Sequence, residues 1–134
     1  MIYTKKVIEH YTNPKNVGEI ENPDGVGTVG NTVCGDIMKI YLKVENNIIV
    51  DVKFKTYGCG AAIATSSVST ELVKGLTLEE AIKLTNKEVV DSLGGLPPIK
   101  MHCSVLAEEA LKDAIYDYYT KNSISNEFTK TYHK

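Results

Sequence analysis

Apolar and polar positions alternate most cleanly near the middle of the chain. Met38, Ile40, Leu42 and Val44 are separated by Lys39, Tyr41 and Lys43, the period of a strand with one buried face. Ile48, Val50, Val52 and Phe54 then alternate with Asp51, Lys53 and Lys55. Asn46-Asn47 between the two runs suits a tight turn, because Asn tolerates positive φ. The pattern predicts an antiparallel hairpin with one wet face. Upstream, Gly25 to Val33 is rich in Gly and Val and reads as an edge or irregular strand, entered through the turn Asn22-Pro23-Asp24-Gly25.

Helical spacing takes over on both sides. Val7, Ile8 and Tyr11 predict a short N-terminal helix stopped near Asn13-Pro14. Gly58-Cys59-Gly60 breaks the second strand of the hairpin. Ala61 to Lys74 then reads as a helix ended by Gly75, with Ala61, Ala64, Val68 and Leu72 as its packing face. Thr77 and Glu80 form a capping-box pair opening a helix through Leu84, and Asn86 to Leu93 makes another. Gly94-Gly95-Leu96-Pro97-Pro98 is a rigid connector. Ser104 to Tyr119 is a long helix with Ala107, Leu111, Ala114 and Tyr118 in one stripe. Residues 122–134 are polar and read as a frayed tail. One domain over residues 1–121 with a tail at 122–134 follows. Its class is α+β: a small antiparallel sheet of about three strands with helices packed on one face.

Charge and composition narrow the function. The 134 residues carry a net charge of −2, and every basic residue outside His is lysine. Without a basic excess or any arginine, no nucleic-acid interaction is expected. No apolar run approaches the roughly 20 residues of a membrane span. Nor does Met1–His10 contain the apolar core of a secretory signal. Three cysteines, an odd number, argue against a closed disulfide set and for a reducing compartment, so a cytoplasmic protein is expected.

The cysteines carry the candidate chemistry. They stand in Cys34-Gly35-Asp36, Gly58-Cys59-Gly60 and His102-Cys103-Ser104, each at a predicted element boundary. One cysteine alone is commonly a small buried hydrophobe. Three such thiols, with Asp36 or His102 available as a fourth ligand, describe a tetrahedral zinc or iron–sulfur site. Cys59 and Cys103 fall at predicted helix starts, where the dipole favours a thiolate. Cys34 falls in the turn between the first two strands. The residues leave open whether Asp36 or His102 is the fourth ligand. His10 and His133 read as solvated surface. Residue chemistry also admits a dithiol redox protein or a Cys–His protease. Against the first, no C-x-x-C occurs, so a resolving thiol could come only from folding. Against the second, adjacent His102 and Cys103 do not make the usual opposed dyad.

Three segments, Cys34-Gly35-Asp36, Lys55-Thr56-Tyr57-Gly58-Cys59-Gly60-Ala61-Ala62-Ile63-Ala64 and Leu96-Pro97-Pro98-Ile99-Lys100-Met101-His102-Cys103-Ser104, resemble the IscU family of iron–sulfur cluster assembly scaffolds, related to the N-terminal domain of NifU. The segment Tyr3 to Gly18 is similar to the same family's N-terminus. Departures are small: Tyr57 stands where Phe is common, Ala61 where Ser is common, and Asn31-Thr32-Val33 precede the first cysteine. The resemblance implies a scaffold and carrier rather than an enzyme. A cysteine desulfurase would deliver persulfide sulfur first to Cys103, and a ferredoxin-type donor would supply electrons. A [2Fe–2S] cluster would form on Cys34, Cys59 and Cys103 with Asp36 or His102, then pass to apo-proteins. Zinc is the other occupant such a site takes. Leu96 to Lys100 matches the segment that a DnaK-type chaperone recognises in the family, though read alone it is a rigid Pro turn. Tyr3 is a candidate contact for a homo-oligomer or a partner. The alternative reading is a zinc-dependent sulfurtransferase of the SufU branch, with zinc on Cys34, Asp36, Cys59 and Cys103. The chain lacks that branch's insertion and keeps His102 beside the third cysteine, which weighs against it. It also lacks the further regions of full NifU.

Overall fold

In a computed structural model the described residues are 3–31 and 35–132. They form α1 (Lys5–Thr12), β1 (Gly25–Asn31), β2 (Asp36–Glu45), β3 (Ile48–Tyr57), α2 (Gly60–Val73), α3 (Leu78–Ile82), α4 (Asn86–Ser92), α5 (Met101–Lys121) and α6 (Glu127–Thr131), with a 3-10 turn at Pro98–Lys100 before α5. The strands make one antiparallel sheet in the order β1-β2-β3. Met38, Ile40, Leu42, Val52 and Phe54 line its inner face, under α2 and α5. The lysines of β2 and β3 remain on the outer face, so the α+β class and the one-sided packing follow the alternation. No described helix is long and apolar enough to cross a membrane.

The hairpin turn falls on Asn46 and Asn47, both at positive φ (51° and 65°). One register differs from the expected alternation. Between Lys43 and Val44 the β2–β3 ladder shifts, so Val44 pairs with Ile49 while Lys43 pairs with Asp51. Ile49 is therefore the buried residue, and Ile48 and Val50 are exposed. A bulge adds one residue to a strand and moves everything beyond it to the opposite face.

Helix α5 lies close along β1 because two glycines let it. A Cβ on Gly27 would collide with the Ala110 carbonyl and the backbone of Ala114, and one on Gly25 would meet the Ala114 carbonyl. The same helix supplies acceptors to the edge strand. The Val26 N–H donates to Asp117 Oδ2 (2.8 Å) and the Thr28 N–H to Asp113 Oδ2 (3.0 Å). Gly27→Ala is expected to destabilise the protein by about 3 kcal/mol, the upper range for forcing backbone apart by overpacking. Urea denaturation checks this, and a loss under about 1 kcal/mol would mean that α5 can lift without cost.

Leu72 of α2 and Tyr118 of α5 pack half-buried against the core, and their neighbours Val73 and Tyr119 are buried. Two expectations need correction. The tail expected to fray contains α6, opened by a capping box between Asn126 and Thr129. Phe128 packs edge-on to Tyr119 and stacks on Tyr132. Burial, then the Asp113 carboxylate, push the Tyr132 phenol up to about 12. His10 is not solvated surface. Its ring is largely covered between α1 and α2, with Nδ1 2.8 Å from Ser67 Oγ and Nε2 3.4 Å from Glu71 Oε1. His133 lies outside the described residues.

Candidate metal–sulfur site

At one end of the sheet, three elements bring their first residues together. Asp36 opens β2, Cys59 is the N-cap of α2, and Cys103 sits in the first turn of α5. Asp36 is 2% exposed and Cys103 fully buried, while Cys59 is half-buried. Gly58 precedes Cys59 because the Asp36 carboxylate occupies the space that a side chain there would need. Cys59 leaves its helix without a side-chain cap, so its sulfur is not committed to the backbone.

Distances centre on Cys103. Its Sγ is 3.9 Å from Cys59 Sγ, 3.7 Å from Asp36 Oδ2 and 3.5 Å from His102 Nε2. His102 Nε2 is in turn 3.6 Å from Asp36 Oδ2. Ligand atoms around a tetrahedral metal with bonds of about 2.3 Å stand about 3.7 Å apart. These separations match that edge length. Donor atoms of Asp36, Cys59 and Cys103 all lie within 4.8 Å of one another. Cys34, expected to join them, lies outside the described residues.

Electrostatics correct one expectation. A helix start was expected to favour the thiolate at Cys103. Burial instead pushes its thiol well above the ordinary value, helped by the neighbouring Cys59 and Asp36. A cation among these donors reverses the balance, since it compensates the charges that burial opposes and displaces the thiol proton. Cys59 has a cationic neighbour: the Lys100 ammonium is raised above its usual value first of all by Cys59.

Some supporting residues were not legible beforehand. The Thr65 hydroxyl donates to Ala62 O (3.1 Å) and Cys103 O (3.3 Å), tying α2 to the start of α5. Tyr11 covers Gly60, where a Cβ would come within 3.0 Å of the ring, and Tyr3 meets Tyr11 edge-on. The available signal for Thr65 is a hydroxyl-rich stretch, Thr65-Ser66-Ser67 and Ser69-Thr70 on either side of Val68, in a largely apolar helix. Elsewhere, a cleft of about 270 Å³ is lined by Glu9, His10, Asn13, Lys15 and Glu71, and none of the described site residues faces it.

Comparison with known proteins places this geometry. The family model described as "NifU-like N terminal domain" matches residues 2–125. The chain is 61% identical over 121 residues to an iron–sulfur cluster assembly scaffold protein, IscU 1, of Archaeoglobus fulgidus, covering 90% of this chain and 79% of that one. It is 54% identical over 125 residues to the iron–sulfur cluster assembly scaffold protein IscU of Escherichia coli, covering 90% and 97%. Among solved structures, a protein described as a SUF-system cluster assembly scaffold from Fervidobacterium islandicum superposes with a TM-score of 0.71. It is 26% identical, over 84% of this chain and 96% of that one.

Proposed function

This chain belongs to the family of NifU-like N-terminal domains, among the IscU-type iron–sulfur cluster assembly scaffolds, and we propose that it builds a [2Fe–2S] cluster on Cys34, Cys59 and Cys103 with Asp36 or His102. The observation that carries this reading is the convergence of Asp36 and Cys59 on Cys103, 3.7 and 3.9 Å from its sulfur, with all three donor atoms within 4.8 Å of one another. The cluster is cargo rather than a resident cofactor. Cys103 accepts persulfide sulfur from a cysteine desulfurase, a ferredoxin-type donor supplies electrons, and apo-proteins receive the product. Each thiolate holds iron through a soft sulfur, whereas Asp36 or His102 offers a harder donor and a weaker hold. A carrier that must release its load gains from such a mixed set. Ile99, 69% exposed within Leu96 to Lys100, gives a DnaK-type chaperone an accessible apolar contact. The thiols suit the reducing cytoplasm.

Zinc fits the same donors, so a zinc-dependent sulfurtransferase is the competing reading. Identity of 61% and 54% to proteins named as IscU cluster assembly scaffolds supports the scaffold reading. Anaerobic incubation with iron, cysteine and a cysteine desulfurase distinguishes the two. The scaffold yields a sulfide-containing chromophore that moves to an apo-ferredoxin. Tight zinc, no sulfide and faster desulfurase turnover would overturn it.

A further inference from the structure

We infer that Cys59 is a resolving thiol, able to release sulfide from a persulfide on Cys103 without an external reductant. This rests on the reading of Cys103 as persulfide acceptor. A persulfide keeps Cys103 Sγ as its inner sulfur and adds an outer one. The inner sulfur is the atom that Cys59 already faces, 3.9 Å away. Folding thus supplies the thiol pair that the sequence, with no C-x-x-C, does not announce.

The step balances within the chain. The Cys59 thiol gives its proton to solvent, and its sulfur attacks Cys103 Sγ. The bond between inner and outer sulfur breaks, and the outer sulfur departs with the bonding pair as hydrosulfide. The sulfane sulfur gains two electrons, and the two cysteine sulfurs lose them in forming a disulfide. The persulfide is therefore the oxidant, and no other is needed.

Two features choose this direction. Attack on the outer sulfur would expel a Cys103 thiolate into a fully buried place beside the Asp36 carboxylate, which is unfavourable. Attack on the inner sulfur instead expels hydrosulfide, a good leaving group that can escape to water. The two sulfurs must close to about 2.0 Å. Cys59 has the freedom to do so: it is half-buried, uncapped and flanked by Gly58 and Gly60. Thr65 meanwhile holds the start of α5 against α2. The electron donor then acts on a Cys59–Cys103 disulfide, which must be reopened before a second sulfide can be released.

The test is a single turnover without iron or added thiol. The protein is loaded by a cysteine desulfurase with one equivalent of cysteine, and enzyme and residual cysteine are then removed anaerobically. Wild-type protein is expected to release sulfide and to become two hydrogens lighter than the starting chain, with a Cys59–Cys103 cross-linked peptide. Cys59→Ser is expected to retain the extra sulfur on Cys103 and to release sulfide at least about tenfold more slowly. A wild-type persulfide that persists on Cys103 overturns the inference while leaving the scaffold reading intact. A cross-link from Cys103 to Cys34 also overturns it. Failure to load Cys103 at all overturns the persulfide-acceptor reading as well. Peptide mapping of the wild-type chain keeps the test decisive if the variant does not fold.

Discussion

Cys103→Ser is expected to reduce retained iron and sulfide at least about a hundredfold, because loss of a ligand exceeds the 10- to 100-fold cost of losing a group that merely orients one. No other position is so central. Cys59, Asp36 and His102 each place a donor atom 3.5–3.9 Å from its sulfur. Serine offers a harder and shorter donor, poorly matched to iron or zinc. The fold should persist. The hydroxyl replaces a fully buried thiol and has the Asp36 carboxylate as an acceptor, so the stability change should stay within about 1–2 kcal/mol. Metal and sulfide analysis after anaerobic reconstitution, alongside circular dichroism, separates loss of ligation from loss of fold. The same substitution at Cys34 or Cys59 should also sharply lower retention. Normal loading in all three variants would end the ligation scheme.

Asp36→Ala is expected to act in the opposite sense, slowing cluster transfer to an apo-ferredoxin by about tenfold while the cluster still assembles. The carboxylate oxygen is the hard member of the set. His102 stands ready to take its place, since Nε2 is 3.6 Å from Asp36 Oδ2 and 3.5 Å from Cys103 Sγ. An imidazole in that position would hold iron more firmly than a carboxylate. Removing Asp36 also relieves the negative charge that helps keep the Cys103 thiol protonated. Transfer can be followed by the change in visible circular dichroism as the chromophore moves. Unchanged kinetics would reduce Asp36 to a buried partner of His102 with no part in release.

What could be read from the sequence was what local chemistry decides. Asn46 and Asn47 declare a turn by themselves, and the lysines between Met38 and Phe54 declare which face of each strand is wet. Ile48-Ile49-Val50 has no polar residue to set its phase, so the bulge that buries Ile49 left no local mark. Tertiary contacts hid more. Thr65, Ser66, Ser67, Ser69 and Thr70 all carry hydroxyls, yet all are buried because α1, α5 and the sheet enclose α2. Several of their hydroxyls turn back to carbonyls of the same helix, as with Ser66 to Ala62 and Ser69 to Thr65. His10 is covered for the same reason, since only the docking of α1 on α2 gives it Ser67 and Glu71. The motifs around Asp36, Cys59 and Cys103 announced candidate ligands. Their mutual distances, and a burial strong enough to oppose a helix start at Cys103, depend on residues far apart in the chain.

The carboxylates that α5 lends to β1 bear on how this protein survives at high concentration. An uncovered strand edge is a template on which another chain can add its own strand. Asp113 and Asp117 occupy the outward N–H groups of Thr28 and Val26, so that template is blocked while α5 is seated. The same helix carries Cys103 in its first turn. Any displacement of α5 that freed this sulfur would uncover the strand edge as well. One helix thus covers both the buried thiol and the edge of the sheet.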